Sequence, residues 1–370
     1  MIRVKGLHFL GVAACVAWAG CGGSSGSPQA GVRPDLTDDG WEVALPQEQG
    51  LALERLVELE RQIAEGRYAR PDALLVTRNG RLVYERYWNG FDRDAPHDLR
   101  SATKSLTSTM IGIAREAGLL PSLDAPVAEL LSRYGPLAHA DSRKARLTAR
   151  HLLEMRSGLA CDDWVADSPG QEERMYRSRD WVKFALNLPM AYEPGERTQY
   201  CTAGVVLLGA VLKELSGEEI PELSGRLLFE PLGIGAFRWE PAAGGNTDTG
   251  GHLHLRPRDL LKVGQTYLDG GLWQGRRVVS EAWVRESAEG RHPMGDSLYG
   301  FLWWVNTFMV NGTSVPTYFA RGNGGQHLFV FPSLGMTAAF TGSHYNDPEM
   351  DQPIEMAGRY LIPAALPSVR

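Results

Sequence analysis

Residues 73–88 read Ala-Leu-Leu-Val-Thr-Arg-Asn-Gly-Arg-Leu-Val-Tyr-Glu-Arg-Tyr-Trp, two strand-like runs on either side of Asn79-Gly80. Asn-Gly accepts the positive φ angles of a tight type I′ turn, so this stretch predicts a β-hairpin. Near the C-terminus, His327–Phe331 and Met336–Thr341 flank Leu334-Gly335 and predict two more strands. Strands at both ends with helices between them predict an α+β fold, in which helices flank one antiparallel sheet built from both chain ends.

The apolar residues between these strands recur at helical spacing. Helices are predicted over Leu51–Glu65, Ser101–Ala117, His151–Met155, Asp180–Leu186, Gly204–Leu215, Ile220–Phe229 and, at the C-terminus, Pro353–Leu366. We expect an α/β lobe from residues 51–120 and 250–370, with a mostly helical lobe of residues 121–249 inserted between its two parts. The cleft between two such lobes is the expected place for a site.

Composition excludes several classes of protein. The chain has 370 residues, 43% hydrophobic and 22% charged, which is typical of a globular rather than a disordered protein. The formal net charge of −6 offers no basic field, so no nucleic-acid partner is expected. No phosphate loop or dinucleotide fingerprint occurs, so no cofactor is predicted. His252 and His254 lack a third ligand at a suitable spacing, so no metal site is predicted.

Residues 1–20 have the pattern of a secretory signal peptide. Arg3 and Lys5 precede an apolar stretch, Leu7–Ala19, that is too short to span a membrane. Small residues then precede Cys21, an ending that resembles a bacterial lipoprotein signal, and a linker over residues 21–50 follows. We expect a lipid on Cys21 that tethers an exported protein to a membrane of the bacterial cell envelope. Lipidation of Cys15 and secretion without a lipid are the alternatives.

Two cysteines, Cys161 and Cys201, remain in the body of the protein. In an oxidising compartment they would form one disulfide bond, and two buried free thiols are the equal alternative. The spacing of the two residues does not decide between these states.

Ser101 and Lys104 form a Ser-x-x-Lys motif at the start of a predicted helix. Residues i and i+3 share one helix face, so the amine can reach the hydroxyl and act as the base that a serine nucleophile needs. The start of a helix also offers free N–H groups that stabilise a developing oxyanion. For the motif alone, the alternative is a capping serine followed by a surface lysine.

Two further segments carry groups suited to acyl transfer. Tyr200 and Thr202 stand just before the helix Gly204–Leu215, where the phenol could shuttle a proton; the alternative is a structural tyrosine with Thr202 as the helix cap. Residues 322–326, Gly-Asn-Gly-Gly-Gln, precede the strand His327–Phe331. Their glycines would let a substrate approach backbone N–H groups, and the alternative is a plain turn.

In this order the motifs resemble those of the serine β-lactamase and penicillin-binding-protein superfamily, whose signature includes Ser-x-x-Lys. The sequence is similar to the class C-like branch, which holds esterases, D-aminopeptidases and 6-aminohexanoate-dimer hydrolases. The similar segments are Arg100–Leu120, Leu147–Leu159, Glu193–Leu212 and Ala320–Leu334. The resemblance implies a β-lactamase/transpeptidase-like fold.

The resemblance also implies roles for individual residues. Ser101 would be the acylated nucleophile, Lys104 its base and Tyr200 the general acid/base. Gly325 would donate the second oxyanion N–H group, the first being that of Ser101. Substrate contacts are implied for six further residues, which are Thr202, Gly322, Asn323, Gly324, Asp162 and His252.

The sequence departs from the family pattern at two of these places. The residue two positions after the tyrosine is commonly Asn and here is Thr202. The third motif is usually Lys-Thr-Gly or His-Thr-Gly, and here Gly322-Asn323-Gly324 takes its place. The Lys or His that receives a substrate carboxylate in the family is therefore missing here. Arg321 could replace that cation only weakly. An ester, or an amide of a small linear acid, is expected rather than a β-lactam or a D-Ala-D-Ala peptide.

Four other features of the sequence bear on the site. The loop Asp162–Trp164 faces the site in the family, and a solvated acidic turn is the alternative. Asp248-Thr249-Gly250 mimics part of the third motif but lies far before the last strands. His252 is expected to border the cleft, and Trp303-Trp304 is expected in the core.

The sequence as a whole predicts an exported serine hydrolase that cleaves a small ester or amide through an acyl-enzyme on Ser101. One alternative is a β-lactamase or D-peptidase that uses the same residues. The other is a non-catalytic envelope protein that binds peptidoglycan fragments. The expected partner is accordingly a small-molecule ester, amide or peptide.

Overall fold

The computed structural model describes residues 30–135, 138–139 and 141–366, so the predicted signal peptide with Cys15 and Cys21 lies outside the described residues. The strands are β1 (Glu42–Val43), β2 (Ala73–Arg78), β3 (Arg81–Tyr87), β4 (His97–Asp98), β5 (Phe237–Trp239), β6 (Pro241–Ala242), β7 (Asn246–Thr247), β8 (Leu253–Leu255), β9 (Leu272–Trp273), β10 (Arg276–Arg277), β11 (His292–Met294), β12 (Ser297–Tyr299), β13 (Trp304–Val310), β14 (Thr313–Gly322), β15 (Gln326–Phe331) and β16 (Met336–Thr341).

The α-helices are α1 (Leu53–Ala64), α2 (Thr103–Glu116), α3 (Val127–Leu130), α4 (Ala149–Leu153), α5 (Glu172–Tyr176), α6 (Trp181–Leu186), α7 (Thr202–Ser216), α8 (Ile220–Ser224), α9 (Pro257–Leu268), α10 (Glu281–Ser287), α11 (Gln352–Met356) and α12 (Ile362–Ala365). Two π-helical segments continue helices, Gly225–Phe229 after α8 and Ala357–Leu361 between α11 and α12. The 3₁₀ segments are Pro46–Gln49, Arg100–Ala102, Ser132–Tyr134, Ser142–Arg146, Pro332–Leu334 and Pro348–Asp351.

Nine strands form one sheet in the order β1-β3-β2-β16-β15-β14-β13-β12-β11. Neighbouring strands are antiparallel, except that β1 and β3 are parallel. Strand β2, from the N-terminal part of the chain, pairs with β16 from the C-terminal part, which sets Leu75 opposite Ala339. The α+β fold, with a sheet built from both chain ends, is thus confirmed.

Two hairpins of the sheet turn at an Asn-Gly dipeptide, and only one of them was predicted from the sequence. Asn79 and Gly80 have φ angles of 51° and 77°, so the predicted tight turn between β2 and β3 is present. A second hairpin, β13–β14, was missing from the prediction. It turns at Asn311 and Gly312, with φ angles of 50° and 78°, so the same dipeptide was an available signal.

Helix α2 is the central helix of the molecule. Its residues from Thr103 to Ala114 are all buried, and the helix packs against α7, α10 and β14. A side chain at Gly112 would overlap the ring of Trp283, which lies 2.4 Å from the ideal Cβ position. Helix α9 covers the sheet where β2, β15 and β16 lie together. The start of α2 is therefore held rigidly between sheet and helices.

Residues 121–249 contain the helices α3–α8 and the short strands β5–β7. Helix α7 lies at the centre of this region, because Ala203–Leu212 are all but fully buried and pack against α3, α4 and α6. The starts of α2 and α7 face each other, which brings Ser101 and Tyr200 to the same cleft. No helix among residues 30–366 of the described chain is long and apolar enough to cross a membrane.

Candidate active site

Ser101 lies in the 3₁₀ turn Arg100–Ala102, two residues before helix α2 begins. Arg100 has a φ of 48°, a left-handed conformation that a non-glycine residue holds only when its surroundings enforce it. The carboxylate of Asp98 accepts the N–H of Arg100 at 2.9 Å and so supports this conformation. The strained residue thus comes directly before the predicted nucleophile.

Lys104 lies one helical turn beyond Ser101, as the motif predicts. Its Nζ donates a hydrogen bond to Ser101 Oγ at 3.0 Å and another to the carbonyl of Gly250 at 2.6 Å. The lysine side chain is 1% exposed, so the amine is removed from water apart from its contact with the serine. The amine is thus held within hydrogen-bond reach of the serine hydroxyl.

The end of β14 packs directly on the turn that holds Ser101. A Cβ atom at Gly322 would lie 2.3 Å from the carbonyl oxygen of Leu99 and 3.1 Å from the amide nitrogen of Ser101. Only a glycine allows so close an approach of two backbones. The residue after it, Asn323, lines the cleft, and its side-chain amide exchanges hydrogen bonds of 2.8 Å with Asn346.

Tyr200 stands two residues before helix α7 and reaches the same cleft. Lys104 Nζ lies 5.0 Å from the centre of its ring. Trp164 stacks on the tyrosine at 5.3 Å with an angle of 4° between the rings, and Trp304 stacks at 5.9 Å. These contacts leave Tyr200 only 7% exposed, although Trp164 itself is 58% exposed at the mouth of the cleft.

The cleft has a volume of about 240 Å³, room for a small substrate. It is lined by Ser101, Asp163, Trp164, Glu172, Tyr200, Trp304, Arg321, Gly322, Asn323, Asn346 and Met350. Of the predicted catalytic residues, the structure brings Ser101, Lys104 and Tyr200 together. Of the predicted substrate contacts, it places Gly322 and Asn323 on the cleft.

The other predicted contacts lie elsewhere. Gly325 and Gly324 do not line the Ser101 cleft: Gly325 approaches the backbone of Gly342, and the carbonyl of Gly324 accepts the N–H of His344 at 3.1 Å. This placement does not support Gly325 as the second oxyanion donor. The reason is that the chain leaves the cleft after Asn323, where the turn into β15 begins.

Asp162 and Thr202 are each adjacent to the cleft without lining it. The carboxylate of Asp162 accepts the N–H of Trp164 at 3.0 Å and so caps a turn, whereas the next residue, Asp163, faces the cleft. Thr202 is fully buried and donates its hydroxyl to Glu172 at 3.3 Å. Thr202 therefore supports a cleft residue. Of the predicted loop Asp162–Trp164, Asp163 and Trp164 line the cleft and Asp162 does not.

His252 also lies behind the lining. Its Nδ1 is 2.8 Å from the carboxylate of Asp98 and 3.4 Å from a guanidinium nitrogen of Arg100. Burial opposes the charge of Asp98, but hydrogen bonds from His252 and from the Arg100 backbone outweigh it and lower the pKa of that carboxyl. His252 thus belongs to the group that holds the residue before Ser101.

Asp163 has the most perturbed carboxyl group on the cleft. Burial, with the negative charge of Glu172 beside it, raises the pKa of Asp163 to about 6, against the opposing effects of Lys104 and a hydrogen bond from Thr202. Its Oδ2 accepts the N–H of Thr202 at 2.7 Å. Its Oδ1 is buried and has no hydrogen-bond partner among the described residues.

Several cleft residues were not predicted as site residues. Trp304 was expected in the core and is buried there at 5% exposure, but it also lines the cleft and stacks on Tyr200. Glu172, Asn346 and Met350 come from segments without any chemical motif.

The single cation on the described lining of the cleft is Arg321. Its guanidinium forms an ion pair of 2.7 Å with Asp351 and lies 5.4 Å over the ring of Trp304. The charge of Arg321 is therefore already balanced before any substrate arrives.

Cys161 and Cys201 form a disulfide bond. The bond joins the loop that carries Asp163 and Trp164 to the residue that follows Tyr200. Of the two states left open by the sequence, the structure shows the bonded one. The acidic loop and the tyrosine are thereby tied into one unit.

Comparisons with known proteins agree with this arrangement. The family model described as Beta-lactamase matches residues 56–357. The 6-aminohexanoate-dimer hydrolase of Paenarthrobacter ureafaciens is 27% identical over 303 residues, which are 75% of this chain and 73% of that protein. Penicillin-binding protein 4 of Amycolatopsis lactamdurans is 26% identical over 276 residues, 65% of this chain and 70% of that protein. A solved family VIII carboxylesterase has a TM-score of 0.62 at 15% identity, covering 83% of this chain and 95% of its own.

Proposed function

This chain belongs to the Beta-lactamase family of serine hydrolases, and we propose that it cleaves a small ester or amide through an acyl-enzyme on Ser101. The observation that carries the proposal is the 3.0 Å contact between Ser101 Oγ and the buried Nζ of Lys104, at a cleft that Tyr200 also lines. A serine hydroxyl needs a neighbouring base to become a nucleophile, and an amine within hydrogen-bond distance can be that base.

In the acylation step, Ser101 Oγ bonds to the substrate carbonyl carbon while its proton passes to Lys104 Nζ. The C–O or C–N bond to the leaving group then breaks, and Tyr200 gives its phenolic proton to the departing oxygen or nitrogen and takes the proton held by Lys104 in return. In deacylation, water attacks the acyl ester and gives its proton to the same pair. Ser101 regains its hydrogen and the acid leaves.

The oxyanion of each tetrahedral intermediate needs two N–H donors. The amide of Ser101 is the first. We assign the second donor to the backbone N–H of Asn323 rather than to that of Gly325. The reason is that Gly322 brings this end of β14 against the Ser101 backbone and that Asn323 lines the cleft. Gly325 lies on the far side of the turn.

The charges on the cleft favour a substrate that is neutral or carries an amine. Asp163 and Glu172 present carboxyl groups, while Arg321 is neutralised by Asp351. A substrate carboxylate would therefore meet repulsion without a free cation to receive it. One relative is named for a dimer of 6-aminohexanoate, whose amine end would suit these carboxyl groups.

Two alternatives use the same fold. A β-lactamase or D-peptidase would need a receptor for the substrate carboxylate, and the ion-paired Arg321 does not favour it. A non-catalytic protein that binds peptidoglycan fragments would have no need of a lysine amine buried against a serine hydroxyl. The pair of Ser101 and Lys104 supports catalysis over binding.

We also propose that the protein is exported and tethered to the cell envelope through Cys21. The pattern of residues 1–21 supports this, and a disulfide between Cys161 and Cys201 suits an oxidising compartment. In a bacterial host, wild-type protein should fractionate with membranes and Cys21→Ser with the soluble fraction. Equal fractionation of the two would contradict the tether.

Three p-nitroanilides with six-carbon acyl groups test the substrate class. They are the p-nitroanilides of hexanoic acid and of 6-aminohexanoic acid and the mono-p-nitroanilide of adipic acid, and their far ends are a methyl group, an amine and a carboxylate. The proposal expects kcat/KM to fall in the order 6-aminohexanoyl, hexanoyl, adipoyl. Short-chain p-nitrophenyl esters and the β-lactam nitrocefin complete the panel. Nitrocefin turnover comparable to ester turnover would favour the β-lactamase alternative.

The same panel is run on Ser101→Ala and on a matched control, Ser108→Ala. Ser108 is a fully buried serine of helix α2, the helix that follows Ser101, and it does not line the cleft. Ser101→Ala should abolish turnover of every substrate, while Ser108→Ala retains it. If Ser101→Ala changes nothing, the protein is not a serine hydrolase at this site.

A further inference from the structure

The turn from Asp248 to Gly251 lies where the side chain of Lys104 ends. The carbonyl of Gly250 accepts a hydrogen bond from Lys104 Nζ at 2.6 Å. A neutral amine has one lone pair, so an N–H bond held by Gly250 leaves a limited range of directions for that lone pair. The orientation of the Gly250 carbonyl therefore bears on how Lys104 meets Ser101.

Asp248 holds this carbonyl in place. Its Oδ1 accepts the N–H groups of Gly250 at 3.0 Å and of Gly251 at 2.9 Å. The side chain is fully buried, and Asp248 is not among the residues that line the cleft. One carboxylate oxygen thus fixes two successive peptide groups, the first of which presents its oxygen to the lysine.

The rest of the turn is anchored to both helices of the site. Thr107 of α2 donates its hydroxyl to the carbonyl of Thr249 at 2.7 Å, and Thr249 donates its own to Val205 of α7 at 2.9 Å. A Cβ at Gly250 would lie 2.6 Å from the side chain of Thr202. The turn is therefore held from the sides of α2 and α7 as well as by Asp248.

The second oxygen, Oδ2, has no hydrogen-bond partner among the described residues. The charged and titratable groups that face Asp248 are Lys104 from α2, His252 from the segment that follows the turn, and Tyr176 from α5. Burial raises the pKa of this carboxyl, with Lys104 and His252 acting in the opposite direction. Both protonation states keep an acceptor oxygen for the two glycine N–H groups.

We propose that Asp248 is a positioning residue for Lys104: by holding the Gly250 and Gly251 N–H groups, it fixes the Gly250 carbonyl that orients the lysine amine toward Ser101. The inference rests on the proposed function, because it concerns the base of that reaction. It needs the acceptor oxygen of Asp248 rather than its charge, which distinguishes it from a purely electrostatic effect.

The test compares Asp248→Asn with Asp248→Ala in the full mature protein. The amide oxygen of Asn can still accept both N–H groups, while Ala has no acceptor. Both variants are assayed with a p-nitrophenyl ester, and kcat is divided by the fraction of protein that a fluorophosphonate labels at completion. We expect Asp248→Ala to lower kcat about 100-fold with KM changed by less than about threefold, because misplacing a reacting group by about 1 Å has that effect. Asp248→Asn should stay within about fivefold of wild type.

Asp259→Asn is the matched control, since Asp259 is an equally buried carboxylate but pairs with Lys262 on helix α9. It should lower the melting temperature and leave kcat for each labelled site unchanged. If Asp248→Ala does not fold, Asp248→Ser replaces it, because its shorter side chain cannot reach both N–H groups. The same loss of kcat is expected.

The inference would be overturned if Asp248→Ala or Asp248→Ser had the same kcat for each labelled site as the wild type. The proposed function would then still stand. An Asn variant as impaired as Ala would also overturn the inference, because the charge would then matter rather than the acceptor. If wild-type protein neither turns over the ester nor takes the label, the proposed function itself has failed.

Discussion

Replacing Asp163 by Asn should stabilise the protein while weakening its selectivity for amine-bearing substrates. The carboxyl group lies on the cleft beside Glu172, and only one of its oxygens has a hydrogen-bond partner among the described residues. The amide oxygen of Asn can still accept the N–H of Thr202, so the loop keeps its anchor. What the substitution removes is a negative charge in a buried place.

The size of the effect follows from the shift in pKa. The folded protein holds Asp163 at a pKa of about 6, against an ordinary value of 3.8. Because the folded state binds this proton more tightly, raising the pH through this window destabilises the wild type relative to the variant. At 1.36 kcal/mol for each pKa unit, the advantage of Asp163→Asn grows from about 1 kcal/mol at pH 4.5 to about 3 kcal/mol at pH 8.

Urea denaturation of both proteins across this pH range measures the effect directly. Asp162→Asn is the control on the same loop, since that carboxylate caps Trp164 and does not line the cleft. Its effect on stability should not grow with pH in this way. An Asp163→Asn variant that is no more stable than wild type at pH 8 would refute the reasoning.

The same substitution separates stability from function. At pH 8, Asp163→Asn should raise KM for the 6-aminohexanoyl anilide by about 10-fold or more and leave the hexanoyl anilide unaffected, because a hydrogen bond to a charged group contributes about 1.5–3 kcal/mol. An equal change for both anilides would show that Asp163 does not recognise the amine.

Three other substitutions probe the geometry. Gly322→Ala should destabilise the protein by about 1–3 kcal/mol and lower turnover sharply, because its Cβ would overlap the carbonyl of Leu99; wild-type activity would contradict the packing of β14 on the Ser101 turn. Trp164→Ala should raise KM for aryl esters about 3- to 10-fold, since an aromatic contact contributes roughly 0.5–1.5 kcal/mol, and an unchanged KM would exclude the tryptophan from the binding surface. The double change Cys161→Ser and Cys201→Ser should lower stability by about 2–5 kcal/mol, as should reductant on the wild type; a melting temperature indifferent to reductant would argue against the bond.

The sequence predicted what depends on local spacing. Ser101 and Lys104 meet because residues three apart share a helix face, and Asn79-Gly80 turns because few other dipeptides accept its φ angles. The pairing of β2 with β16 followed from strands at both chain ends.

The errors came where backbone packing decides. Residues 322–325 read Gly-Asn-Gly-Gly, and the sequence does not show which of these glycines makes a close contact. The approach of β14 to the Ser101 turn shows that Gly322 makes it and that Gly325 lies beyond the cleft. Asp162 and Asp163 are chemically alike, and a loop has no periodicity to tell which of them faces inward.

The role of the turn at Asp248 was hidden for a related reason. The resemblance of Asp248-Thr249-Gly250 to part of a family motif pointed to the wrong place in the fold. Its actual contact, from the Gly250 carbonyl to Lys104, joins residues 146 positions apart. Such a backbone carbonyl carries no sequence signature, because every residue has one.

The most direct test of the account is the mass of the protein after brief incubation with a fluorophosphonate, followed by peptide mapping. The account predicts one adduct for each chain, on Ser101, and no adduct in Ser101→Ala or when Lys104 is replaced by Met. A label on another residue, or equal labelling of wild type and Ser101→Ala, would contradict the central claim that Lys104 activates Ser101.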